Sequence, residues 1–120
     1  MSEDVEDLLR QHVVGRRLSG VTFVMDYVQL QFDPPPGLSA FTPITVRSGG
    51  RTAFSGDESF RNLLCEQIPK TIASVSLKDE ESLSFTFEDG STISLSLRQD
   101  DYVGPEAVNI YGAGQYIIVL

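Results

Sequence analysis

Tryptophan is absent from this 120-residue chain, and cysteine and histidine occur once each. A single cysteine closes no internal disulfide and builds no cysteine-type zinc site, and it fits a reducing compartment. A single histidine, His12, leaves little material for nucleophile-and-base catalysis, where histidine is the usual base. Long apolar runs are missing too: no window approaches the roughly 18 to 20 residues of a membrane span. The first residues, Met-Ser-Glu-Asp-Val-Glu-Asp, carry acids where a secretory leader needs positive charge. The expectation is a cytoplasmic protein with no membrane association. At this length one domain, residues 1–120, is expected, burying roughly 65% of the surface of the unfolded chain.

Positive charge is also scarce. Nine Lys and Arg face seventeen Asp and Glu, for a net charge of −8. The deficit is uneven: residues 79–106 hold eight acids against one base, Arg98, whereas residues 107–120 hold no charge at all. Such a segment repels phosphate backbones, so no nucleic-acid partner is expected. It attracts a basic protein and speeds the encounter. The other use of surplus acid is solubility.

What is present points to antiparallel sheet. Leu83, Phe85 and Phe87, then Ile93, Leu95 and Leu97, alternate with polar residues around Asp89-Gly90. Alternation sorts side chains onto two faces, and Asp-Gly suits a tight turn, so this is a β-hairpin with a Ser/Thr-rich outer face. Residues 3–13 read as an amphipathic helix with Val5, Leu8, Leu9 and Val13 on one stripe and Gly15 as its stop. Residues 18–33 form two strands, because Val21/Phe23/Met25 and Val28/Leu30/Phe32 alternate out of phase across Met25–Tyr27. Pro34 to Gly37 end the second. Phe41–Val46 reads as a strand, with Pro43 suggesting an edge, and Arg51–Phe54 as the next. Ser55-Gly56-Asp57-Glu58 has the form of a capping box for a helix bearing Phe60, Leu63, Leu64 and Ile68. Ile72–Leu77, Ala107–Tyr111, a Gly112-Ala113-Gly114 turn and Gln115–Leu120 complete the pattern. The fold class expected is α+β, a bent antiparallel sheet of six to eight strands with two short helices.

No constellation for catalysis or metal binding emerges. At about 100° per residue, His12 falls within the apolar arc of its helix, where histidine is a packing residue. Cys65 lies late in its helix beside Glu66, without the positive surroundings that activate a thiol. Asp100, Asp101 and Glu106 share a loop but lack the alternating spacing calcium requires. No cofactor is expected. The candidate site is instead a binding surface. In the loop after the hairpin, Tyr102 offers an amphipathic contact flanked by Asp100, Asp101 and Glu106, a composition suited to a basic partner. Asp26-Tyr27, at the phase slip, has similar composition. The alternatives are plain connecting turns and, for function, a small-ligand binder or enzyme with a pocket between sheet and helices. The uncharged run Tyr116–Leu120 is apolar on both faces. That predicts a central strand covered on both sides, or a homodimer contact.

Gly15-x-x-Leu18-x-x-Val21-x-Phe23-Val24-x-Asp26-Tyr27-Val28-x-Leu30-x-Phe32, with Phe60-Arg61-x-x-Leu64-Cys65-x-x-Ile68, Phe87-x-Asp89-Gly90 and Ser96-Leu97-Arg98 before Gly104-Pro105-Glu106-Ala107, resembles a group of small uncharacterised bacterial proteins. The resemblance implies a bacterial cytoplasmic α+β protein and carries no activity with it. Size and acidity are similar in type to those of immunity proteins that neutralise basic toxins. The function expected is a non-catalytic protein-binding module, immunity-type or regulatory, acting through acidic surface.

Overall fold

The computed structural model describes residues 2–112 and 115–120. Helix α1 (Ser2–Val13) leads into β1 (Arg17–Val24), β2 (Tyr27–Asp33), β3 (Gly37–Ala40), β4 (Ile44–Ser48) and β5 (Arg51–Phe54). Helix α2 (Phe60–Cys65), β6 (Ile72–Lys78), β7 (Ser82–Phe87), β8 (Thr92–Ser96), β9 (Val108–Gly112) and β10 (Gln115–Val119) follow. The class is α+β with antiparallel pairing throughout. The expectation of one sheet of six to eight strands is corrected: the described residues form two five-stranded sheets, β1-β2-β3-β9-β10 and β5-β4-β8-β7-β6.

The bend between β3 and β4 is where one sheet becomes two. Pro43 has no N–H for a ladder and breaks the run expected over 41–46. Around it the chain changes neighbours: Phe41 N donates to Ala107 O at 2.8 Å, beside the first sheet, and Ser96 N to Pro43 O at 3.0 Å, beside the second. Pro43 is therefore not on an edge strand; β4 after it lies between β5 and β8. The sheets also touch where β1 and β6 begin, through Leu18 N to Lys70 O at 2.9 Å and Ile72 N to Arg16 O at 2.9 Å. Between them lies one shared cluster in which Leu18, Leu30, Leu38, Ile44, Leu83, Phe85, Ile93 and Leu95 are buried. Phe32 of β2 meets Phe85 of β7 with ring centroids 6.1 Å apart, so the alternation of both hairpins feeds the same core.

Helix α1 packs on β6 with Leu9 and Val13 buried, as its stripe requires, and Gly15 ends it at φ 87°. Glu6, near its start, accepts from Leu77 N at 2.8 Å. The β7–β8 hairpin forms as read, with Leu83, Phe85, Phe87, Ile93 and Leu95 buried; only Gly90 of the Asp-Gly pair takes a positive φ. Its outer hydroxyls bond one another, Ser84 Oγ to Ser94 Oγ at 2.8 Å. The capping box does not form. Ser59 is the N-cap of α2, with no side-chain bond. The Ser55 hydroxyl is held by β4 instead, accepting from Ile44 N at 2.8 Å.

The C-terminal run is an edge strand, not a central one: among the described residues β10 closes the first sheet and pairs only with β9. Ile118 enters the core while Val119 stays half exposed, which is the one-sided burial an edge allows. The Ala113-Gly114 part of the turn before it lies outside the described residues. No helix of the described residues is long and apolar enough to cross a membrane.

Candidate interaction groove

Four separate chain segments wall a groove of about 520 Å³. The β1–β2 turn supplies Val24, Met25, Asp26 and Tyr27; the β3–β4 bend supplies Phe41 and Pro43. The turn after β5 gives Asp57 and Glu58, the start of α2 gives Phe60 and Arg61, and the loop before β9 gives Val103. Met25 and Val103 are 93% and 92% exposed. Val24 and, just outside the groove, Phe54 are also exposed. Isolated exposed apolar residues are ordinary, but grouped ones mark interaction surfaces.

The groove is held open by aromatic contacts. Phe23 and Phe60 meet edge to face at 6.4 Å, and the Arg61 guanidinium lies 5.3 Å from the Phe23 ring centroid. Tyr27 and Phe41 are tilted against each other at 5.3 Å. Rigid aromatic walls of this kind lose little side-chain freedom when a partner docks. The rim is acidic. Asp57 accepts from Phe54 N at 2.8 Å and so fixes the turn around Gly56, whose φ is 95°. Asp26 and Glu58 are exposed, and among the described residues neither makes a hydrogen bond or ion pair. Among the described residues, Arg61 is the one base lining the groove.

The structure sorts the sequence-predicted site residues into separate places. Asp26 and Tyr27 both line the groove. The loop carrying Asp100, Asp101, Tyr102 and Glu106 reaches it as well, but through Val103. Asp100 stands exposed in a 3₁₀ turn, Gln99–Asp101. Asp101 accepts from Ser96 Oγ at 2.5 Å and ties the end of β8 to that turn. Tyr102 packs on the core and lines a different hollow of about 350 Å³ with Val5, Leu77, Asp79, Glu80, Leu97 and Leu120. With the Asn109 amide oriented so that its nitrogen faces the carboxylate, Glu106 Oε2 accepts from it at 2.6 Å.

The acidic segment 79–106 likewise does not make one surface. The hairpin sends Asp79–Glu81 to one end of β7 and Glu88–Asp89 to the other. At that second end, Lys70 Nζ sits 2.8 Å from Asp89 Oδ2 and donates to Gln67 Oε1 at 2.8 Å, Ser91 Oγ at 3.1 Å and Ser48 Oγ at 3.2 Å. The Lys70 ammonium, with Ser91 N donating to Asp89 Oδ1 at 2.9 Å, lowers the Asp89 carboxyl to about 2. Arg51 and Glu66 pair nearby through two bonds, which hold the Glu66 carboxyl below its ordinary range.

Met25 and Val103 escaped the sequence reading as site residues. The signal for both was available: each is an apolar residue at a turn or loop position where polar residues are the rule. Arg61, which the sequence offers with Arg47 and Arg51 for an anionic ligand, is brought over Phe23 only by the packing of α2 on β1. Compared with protein families, with curated proteins and with solved structures, the chain matches none.

Proposed function

We propose that the chain is a cytoplasmic, non-catalytic protein-binding module of immunity or regulatory type, and that the groove is its binding surface. The partner it suits is a protein segment with apolar side chains flanked by Lys or Arg. The observation that carries this is the gathering of Met25, Val103 and Val24 from separate parts of the chain beside two carboxylates, Asp26 and Glu58, that have no partner among the described residues. An apolar centre with a charged rim is the anatomy of a protein interface, in which the centre supplies affinity and the rim supplies steering. The mechanism is occlusion and charge complementarity without turnover.

The test is a comparison of wild type with Met25→Asp/Val103→Asp in capture of partners at low and high salt. Partners held by wild type and lost by the variant are expected. Equal capture by both would end the proposal. A homodimer would use a different place, the open edge of the first sheet, where β10 carries no charged residue and half-exposed Val119. Sedimentation velocity across a concentration series, with Val119→Lys as the control, separates that contact from the groove.

A further inference from the structure

We infer that the partner binds as an extended strand added to the free edge of β1, where that edge runs into the groove. The inference rests on the groove reading and adds the mode of binding to it. Leu18 N donates to Lys70 O at 2.9 Å. Beyond it, among the described residues, no backbone group of residues 19–24 bonds to anything but β2. An edge strand turns half of its N–H and C=O groups outward, where they can pair with another chain. The stretch Gly20-Val21-Thr22-Phe23-Val24 carries neither charge nor proline, two devices that keep other chains off a sheet edge. Its last two residues, Phe23 and Val24, line the groove. The contact of Phe23 with Phe60 of α2 is made by the rings and leaves this backbone unbonded.

The other sheet edges are closed or lie elsewhere. The β6 edge is held by the α1 segment: Gly15 N donates to Ile72 O at 2.8 Å, Ile72 N to Arg16 O at 2.9 Å and Leu77 N to Glu6 Oε2 at 2.8 Å. The β5 edge is four residues long, starts at charged Arg51 and ends where Asp57 takes Phe54 N. The β10 edge is uncharged, but it lies across the first sheet from β1 and supplies no residue to the groove. Alternation along β1 then sets the sequence that fits. Val21 and Phe23 pack on the core, whereas Thr22 between them is exposed. In a strand laid beside β1, side chains opposite Val21 and Phe23 face the same way, and those between point to solvent. The fitting segment has apolar residues two apart, with Lys or Arg where it passes Val24. There it meets Asp26 and Glu58, which have no partner among the described residues. Backbone bonds supply affinity in this mode, and alternate side chains supply selectivity.

The probes are displayed peptides selected on wild type and resynthesised with single backbone N-methyl groups, each deleting one N–H donor. Losses of about tenfold at every second position, with small effects between, are expected. Hydrogen exchange of the β1 amides should slow in the complex with the unmodified peptide. N-methyl effects that do not alternate, or slowed exchange that spares β1, would overturn the strand mode. The groove itself would survive that result if Met25→Asp/Val103→Asp still abolished binding, whereas peptides indifferent to this variant would end both readings. Slowing of β1 exchange with rising protein concentration and no peptide would give the edge to a second copy and overturn the inference, as would a selection that enriches nothing.

Discussion

The two ends of β4 solve opposite problems. At its end, Ser48 belongs to a network in which Lys70, Asp89, Ser91 and Gln67 are all bonded, and Arg51 and Glu66 pair beside it. At its start, Ile44 lines a groove with exposed Met25 and Val103 and with carboxylates that have no partner among the described residues. Polar groups held in mutual bonds stabilise a fold, whereas grouped exposed apolar side chains and solvated carboxylates without a protein partner remain available to another molecule. The contrast separates the end that keeps the protein folded from the end that is free to bind.

Variants that act on both ends alike set the scale. Phe85→Ala empties the centre where the two sheets meet, against Phe32 at 6.1 Å. It should cost about 3–5 kcal/mol in urea unfolding. A loss well below that would mean the sheets do not share one core. Lys70→Met acts on one end only. It strips the donor from Ser48, Ser91 and Gln67, and should cost about 1–3 kcal/mol while leaving partner capture intact. If it impaired capture as much as it impaired stability, the division of labour would fail.

Acid titration sharpens the same contrast. Asp89 titrates at about 2 in the folded protein, down from 3.8. A carboxyl lowered in the folded state contributes stability above its unfolded value, and that contribution disappears as pH falls from 3.8 toward 2. The stability gap between wild type and Asp89→Asn should therefore be present at pH 6, narrow below 3.8 and close as pH falls through about 2, as read by chemical denaturation at each pH. The smallest effect belongs to the rim. Asp26→Asn/Glu58→Gln should leave stability within about 0.5 kcal/mol of wild type and flatten the salt dependence of partner binding.

The sequence made the strands legible where period and punctuation agreed. Leu83 to Leu97, with Asp89-Gly90 at its middle, could only be a hairpin with its apolar face buried. Met25–Tyr27 was legible as a turn because the alternation changes phase there. The split into two sheets was not, since it depends on which strands flank the bend at Phe41–Pro43, and pairing between distant strands leaves no local mark. Of the residues chosen by composition, Asp26 and Tyr27 stand at the groove. Asp100, Asp101, Tyr102 and Glu106 were chosen by the same reasoning from a loop whose contribution to the groove is Val103. Composition identifies which side chains suit an interface; it does not say which way a loop will turn them. The acidic run 79–106 is divided for a related reason: β7 carries Glu88 and Asp89 to the far end of the sheet, while Asp79–Glu81 stay beside the loop after β8, where Leu97 N donates to Glu81 O at 2.9 Å.

The most direct test of the groove is a selection of displayed peptides on wild type, followed by measurement of the enriched peptides against Met25→Asp/Val103→Asp. The account predicts enriched sequences that combine aliphatic or aromatic residues with Lys or Arg, and that lose at least roughly tenfold in affinity on the variant. Enrichment of acidic peptides, or of peptides that bind wild type and variant alike, would contradict it.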